Sequence, residues 1–257
     1  MTSPLLAARA LDVDIAGNTL VRGLDLSLSG GETLAILGRN GSGKTTLLHT
    51  LAGLRPPAGG TLELCGKSYL AHGLREAARL RGLLAQTQSD AFPASVLETA
   101  LIGRHPHLGR WAWEGAADER IARDALRAVA LQELEMREVH TLSGGERQRL
   151  GIATLLTQQP LLYLLDEPLA HLDLAHQIAM LDLTRRYAGE CGAAFVIVMH
   201  DMNLALRYCR RALLLFGDGR WTEGASEDVL TAENLSELYG HRLRELCDGD
   251  SRYFIAA

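Results

Sequence analysis

Residues 33–54 read TLAILGRNGSGKTTLLHTLAGL. The first five form a short apolar run, and residues 45–54 carry apolar side chains at helical spacing until Pro56 and Pro57 stop them. Strand, glycine-rich loop and helix therefore follow one another directly. The loop fits GxxxxGK[ST] with Gly38, Arg39, Asn40, Gly41, Ser42, Gly43, Lys44 and Thr45. Its glycines let backbone N–H groups turn inward around the phosphates of a nucleotide, and the helix N-terminus adds its positive end. Lys44 supplies the point charge, Thr45 offers a hydroxyl to a magnesium ion, and Thr46 donates from the backbone with Gly41 and Gly43. Of the 26 basic residues only Lys44 and Lys67 are lysines, which gives a lysine in this loop extra weight.

The alternation recurs downstream. Residues 161–165 (LLYLL) read as a buried strand, 174–187 as a helix, 194–199 (AFVIVM) as a second buried strand and 203–211 as a helix. Buried strands alternating with helices predict an α/β fold built on a parallel sheet covered on both faces. The first thirty residues differ, with strands at 10–15 and 18–28 around Ala16-Gly17. Residues 61–64 continue that layer, which predicts an antiparallel β element beside the parallel core. Helices are expected at 95–103, 117–131 and 151–157, with a loop at 104–115. The section from about 87 to 158 thus reads as an inserted helical subdomain, and residues 225–246 as helix-rich and polar. One domain over 1–257 is expected, its core spanning about 1–86 and 159–257.

Composition narrows the function. At 257 residues, 47% hydrophobic and 22% charged, the chain has globular composition. A net charge of −5 and 5% aromatic residues argue against a protein built to neutralise and stack on nucleic acid, so no nucleic-acid partner is expected. Cys65, Cys191, Cys209 and Cys247 show no CxxC spacing, which predicts reduced thiols rather than a zinc site. No apolar stretch approaches the roughly 18 to 20 residues that cross a bilayer. Residues 1–10 lack a basic region followed by a long apolar one, which predicts a cytosolic location.

A bound nucleoside triphosphate needs a carboxylate for its metal and a group to activate water. The run 161–168 (LLYLLDEP) ends in two adjacent acids. Asp166 is placed to hold the metal through water, and Glu167 to act as base or orienter of the attacking water. Alone, this turn reads equally well as a helix cap; with the phosphate loop upstream the catalytic reading is favoured. Residues 142–148 (LSGGERQ) satisfy a capping box, Ser143 with Glu146 three residues on, and that structural role stands beside any other.

Taken together in this order and spacing, GRNGSGKT, LSGGERQ and LLYLLDEP resemble the motifs of ATP-binding cassette (ABC) ATPases, over nearly the whole chain. The resemblance implies a P-loop NTPase, RecA-like core, with ATP and Mg²⁺ as cofactors. It further implies a homodimer with each ATP sandwiched between one subunit's phosphate loop and the other's signature, Leu142, Ser143, Gly144, Gly145 and Glu146. Gln86 in LLAQ (83–86) matches the glutamine that reaches Mg²⁺ and water, with Gln88 as its neighbour in sequence. Asp173 in AHLD (170–173) matches the D-loop aspartate, and His200 the switch histidine that bonds the γ-phosphate. Mg²⁺ would be held by Thr45, Gln86 and Asp166. Three positions depart from the pattern: Ile15 stands where an aromatic residue usually stacks on adenine, Glu146 replaces the commoner glutamine, and Ala170-His171 precede Leu172-Asp173.

Residues 102–107 (IGRHPH) and 229–240 (VLTAENLSELYG) resemble segments of the ATPases that energise importers of cobalamin, haem and ferric siderophores. That likeness implies transmembrane permease subunits, indirectly a periplasmic substrate-binding protein, and a peripheral place on the cytoplasmic face of the inner membrane. His105 and His107 have no third ligand near them in sequence, so a loop role is expected there. A soluble cassette ATPase acting on nucleic acid or ribosomes is the alternative, disfavoured by the net acidity and by the lack of a second cassette or a long coiled-coil insert.

Overall fold

The computed structural model describes residues 4–86, 93–109, 111–249 and 251–257. An antiparallel hairpin comes first, β1 (Leu6–Ile15) and β2 (Asn18–Leu28), turning at Ala16 and Gly17, whose φ values of 47° and 82° suit the left-handed turn. The chain then runs through β3 (Thr33–Gly38) and α1 (Lys44–Leu51) before returning to the first layer as β4 (Gly59–Leu64) and β5 (Lys67–Ser68). These strands form an antiparallel sheet in the order β2-β1-β4-β5. Next come α2 (Tyr69–Leu80), β6 (Arg81–Leu84) and three helices, α3 (Val96–Leu101), α4 (Ala116–Ala128) and α5 (Gly144–Gln158). β7 (Leu162–Asp166), α6 (Leu174–Cys191), β8 (Ala194–Val198), α7 (Met202–Tyr208), β9 (Arg211–Leu215) and β10 (Trp221–Ala225) complete the core. The chain closes with α8 (Ser226–Val229), α9 (Ala232–Tyr239) and a hairpin, β11 (Leu243–Asp248) and β12 (Ser251–Ala256).

Six strands form the central sheet in the order β10-β9-β3-β8-β7-β6, all parallel except the edge strand β10. Register aligns Leu84, Leu165, Ile197, Ala35 and Ala212 in one row across it. That row faces a core shared with α5, α6 and α7, while Leu34, Leu164 and Val196, one residue earlier on their strands, face a second core against α1 and the antiparallel sheet. Strands buried on both faces explain the unbroken apolar runs. Because β3, β6, β7 and β8 are parallel, their C-terminal ends open on one edge, where ligands of such sheets bind.

Two regions differ from the expectation, and a third has no reading from sequence. Residues 203–211 do not form one helix: α7 ends at Tyr208, and Arg211 opens β9, whose Ala212 to Leu215 are fully buried. A run such as RALLL has no periodicity that separates a buried strand from a buried helix. Residues 69–84 hold α2 and β6, and β6 exists by pairing with β7 (Arg81↔Leu162) rather than by local pattern. In the polar C-terminal part, α8 and α9 are followed by the β11–β12 hairpin, since cross-strand partners (Leu243↔Ala256, Glu245↔Phe254) override the helix-favouring composition of LRELCD.

Candidate functional site

The loop between β3 and α1 closes on its own carbonyl groups. Lys44 is buried, and its Nζ donates to Gly38 O at 2.9 Å and Arg39 O at 3.1 Å. Burial pulls its pKa below the ordinary lysine value, opposed by the nearby Glu167 and Asp166 carboxylates. Gly43 has φ 96°, and a Cβ there would lie 2.9 Å from Leu20 of β2, so the antiparallel layer presses directly on the loop. Ser42 Oγ is buried with no hydrogen-bond partner. Arg39, Asn40 and Gly41 are exposed at the tip, and Thr45 and Thr46 occupy the first turn of α1. Ile15 ends β1 opposite Asn18, 42% exposed, on the hairpin whose Leu20 touches the loop.

At the end of β7 the two acids separate. Asp166 is fully buried, and neither carboxylate oxygen has a hydrogen-bond partner. Burial raises its pKa above the usual carboxylate range and Glu167 adds to the shift, while the Thr45 hydroxyl, His49 and Lys44 oppose it. Glu167 sits at φ 51°, a left-handed conformation uncommon for its residue type. Its two oxygens are divided between two partners: Gln86 Nε2 donates to Oε2 at 3.1 Å, and His200 Nε2 lies 2.7 Å from Oε1. Three residues nominated from distant parts of the sequence thus meet at one carboxylate. Gln88 lies outside the described residues.

Gln148 was not singled out from the sequence. It projects from α5 into the core, where its Nε2 donates to Pro168 O at 3.1 Å and lies 3.5 Å from Glu167 O, fastening the strained turn. The signal was available: Gln148, Ile152 and Leu155 share one helical stripe, and an amide on an otherwise apolar face needs a buried partner.

The N-terminus of α5 realises the capping box. Ser143 N–H donates to Glu146 Oε2 at 2.7 Å, and Glu146 N–H to Ser143 Oγ at 3.2 Å. The Ser143 N–H, followed by the Ser143 hydroxyl, holds the Glu146 carboxyl below its usual range. Leu142 is buried beneath the turn. A Cβ at Gly145 would lie 3.1 Å from His171 O, so this glycine lets the turn at 170–173 rest closely on the helix end, while a Cβ at Gly144 would meet the His171 side chain at an ordinary 3.7 Å. Asp173 caps α6, its Oδ1 accepting from His176 N–H at 2.9 Å, with His176 Nδ1 at 2.8 Å. Among the described residues no hydrogen bond or ion pair joins Ser143, Gly144 or Gly145 to the phosphate loop.

Residues 21–170 match the model of the ABC transporter family. The chain belongs to that family. It is 40% identical to the hemin import ATP-binding protein HmuV of Gloeobacter violaceus, over 92% of this chain and 87% of that one. It is 38% identical to the ferric enterobactin transport ATP-binding protein FepC of Escherichia coli, over 87% and 83% of the two chains. Among solved structures, an inward-facing metal-chelate type ABC transporter superposes with a TM-score of 0.86 at 30% identity, covering 99% of this chain and 98% of the other. As an ABC ATP-binding subunit the protein binds and hydrolyses ATP.

In this ABC subunit the donor set fits a magnesium ion. Mg²⁺ takes one or two protein oxygens and completes its shell from phosphates and water. The unpartnered, buried Asp166 carboxylate and the Thr45 hydroxyl beside it are oxygen donors of that kind. The IGRHPH segment is a structural anchor. Arg104 bonds Asp118 Oδ1 at 2.8 Å and Thr157 O at 3.0 Å, while His107 Nε2 meets Gln158 O at 2.8 Å and His105 lies 3.6 Å from Glu114. No group of three His, Cys, Asp or Glu that could hold a metal occurs among the described residues. No helix among them is long and apolar enough to cross a membrane.

Proposed function

We propose that this ABC ATPase energises import of a metal chelate, in the class of haem, ferric siderophore or cobalamin, through a transmembrane permease fed by a periplasmic binding protein. The reading rests on the likeness to hemin and ferric enterobactin import subunits along most of the chain. It places the protein peripherally on the cytoplasmic face of the membrane. Two copies pair head to tail, and each ATP lies between one copy's Gly38–Thr46 loop and the other's Leu142–Glu146 turn. Ile15 supports the adenine from an aliphatic surface.

Lys44 exchanges its two loop carbonyls for phosphate oxygens, and the N–H groups of Gly41, Gly43 and Thr46 point to the same charge. Thr45, Asp166 and Gln86 would hold Mg²⁺, which would neutralise charge on the phosphates. Glu167 takes a proton from the attacking water, while Gln86 and His200 hold its carboxylate in place. His200 also reaches the γ-phosphate. Across the interface the Ser143 hydroxyl and the Gly144 and Gly145 N–H groups contact that γ-phosphate, and Asp173 lies beside the seam. Closure therefore depends on the γ-phosphate, and hydrolysis releases it.

The observation that carries the chemistry is the single carboxylate of Glu167 met by Gln86 and His200. Glu167→Gln is expected to bind ATP and dimerise on it while turnover falls by at least about a hundredfold. Vigorous steady-state hydrolysis by that variant would overturn the assignment. Cells carrying Glu167→Gln should also lose uptake of one labelled chelate among haem, ferric siderophore and cobalamin. Unchanged uptake of all three would remove the import assignment.

A further inference from the structure

Asn203 lies three residues beyond His200, in the first turn of α7. Its side chain is paired with the backbone of the C-terminal hairpin. Nδ2 donates to Phe254 O at 3.2 Å, and Phe254 N–H donates to Oδ1 at 2.8 Å, so one amide takes the place of a neighbouring strand along β12. At this length only asparagine offers a donor and an acceptor together without charge. The Phe254 ring is 2% exposed and belongs to the main core, which makes β12 a fixed support for α7.

Other contacts of the C-terminal segment converge on the same region. Asp201 caps α7, its Oδ1 accepting from Asn203 N–H at 2.8 Å and Leu204 N–H at 3.0 Å. Facing it is Tyr239 of α9, whose buried hydroxyl has no partner; burial, with the Asp201 charge adding, pushes that hydroxyl's pKa up to about 12. One residue on, a Cβ at Gly240 would lie 3.6 Å from the Arg39 guanidinium of the phosphate loop. Tyr239 and Phe254 therefore flank the start of the switch helix, and Gly240 lies near the phosphate loop.

We propose that Asn203 is a positioning residue for ATP hydrolysis: through its pair with Phe254 it fixes the start of α7, and with it His200, against Glu167. This rests on the reading of His200 and Glu167 as the hydrolytic pair. Truncation of the amide leaves Phe254 N–H and C=O unpaired and frees α7 to turn, which moves His200 without touching the phosphate loop.

Steady-state hydrolysis, ATP affinity and thermal unfolding of the full-length chain test it. Asn203→Ala is expected to lower kcat about tenfold with KM for ATP within about twofold, because the lost alignment acts on the chemical step. Arg252→Ala is the structural control. It removes hairpin bonds to Glu227 O and Leu230 O, the ion pair with Glu245 and the guanidinium over the Phe254 ring, but neither hydrogen bond between Asn203 and the Phe254 backbone, so it should lower Tm with kcat unchanged. If Asn203→Ala does not fold, Asn203→Asp, which keeps the acceptor for Phe254 N–H and loses the donor, should show a smaller fall in kcat. The proposal is overturned by wild-type kcat in the asparagine variants, by a change confined to KM, or by an equal loss of kcat in Arg252→Ala. Glu167→Gln, assayed alongside, separates the two ideas: retained turnover there sinks the reading of the site, whereas lost turnover there with normal Asn203 variants sinks only this inference.

Discussion

Asp166 is fully buried beside Glu167, so folding raises its pKa against the opposing pull of the Thr45 hydroxyl. A carboxyl whose pKa is raised on folding contributes stability that is complete below its ordinary pKa and is lost as pH rises through the raised value. Asp166→Asn is therefore expected to raise Tm of the ligand-free protein by a few degrees at pH 8, with the gain vanishing toward pH 4, while magnesium-dependent hydrolysis is lost. Equal melting of the two proteins at pH 8 would contradict this account. Gln148→Ala should leave the Pro168 carbonyl unpaired, at about 1–3 kcal/mol, with Glu167 O still accepting from Ala170 N–H, and let the φ 51° turn relax. Its kcat is expected to fall about tenfold in a turnover assay. These roles differ in legibility. Asp166 and Glu167 announce themselves as acids after an apolar strand; Gln148 was passed over because only the fold places Pro168 O above it.

At the scale of elements, the N-terminus of α5 carries the observed cap and the proposed interface contact, two roles that one substitution can separate. Ser143→Ala removes the capping oxygen, at about 1 kcal/mol. Ser143→Asp keeps a good cap, so its Tm should stay close to wild type, yet in the proposed dimer it aims a carboxylate at the triphosphate of the partner copy. That variant is expected to melt normally and to fail to dimerise on ATP in a Glu167→Gln background. Nucleotide-driven dimerisation at wild-type concentration would remove Ser143 from the interface. The elements most legible from sequence were β3, β7 and β8, whose apolar runs are bounded by glycine or charge. β9 and β6 were not, because a strand in the middle or at the edge of a parallel sheet is defined by neighbours far away in sequence.

For the whole molecule, the proposed sandwich makes a complementation test available. Chains carrying Lys44→Ala and chains carrying Ser143→Asp are each expected to be inactive. A mixed dimer holds one composite site with both defects and one with an intact phosphate loop facing an intact signature. Mixing should restore ATP hydrolysis to a fraction of wild type, and persistent inactivity in a mixture that does form mixed dimers would mean that loop and signature act within one chain. Read alone, the sequence determined the phosphate loop, the three-motif order and the alternation that makes an α/β core, because each is set by local spacing and side-chain chemistry. The tertiary structure alone decided that Gln86 and Glu167, 81 residues apart, share a hydrogen bond, and that Phe254 backs the helix after His200. Such contacts depend on strand order and register, which are settled by burial over the whole chain and leave no mark in any short stretch of it.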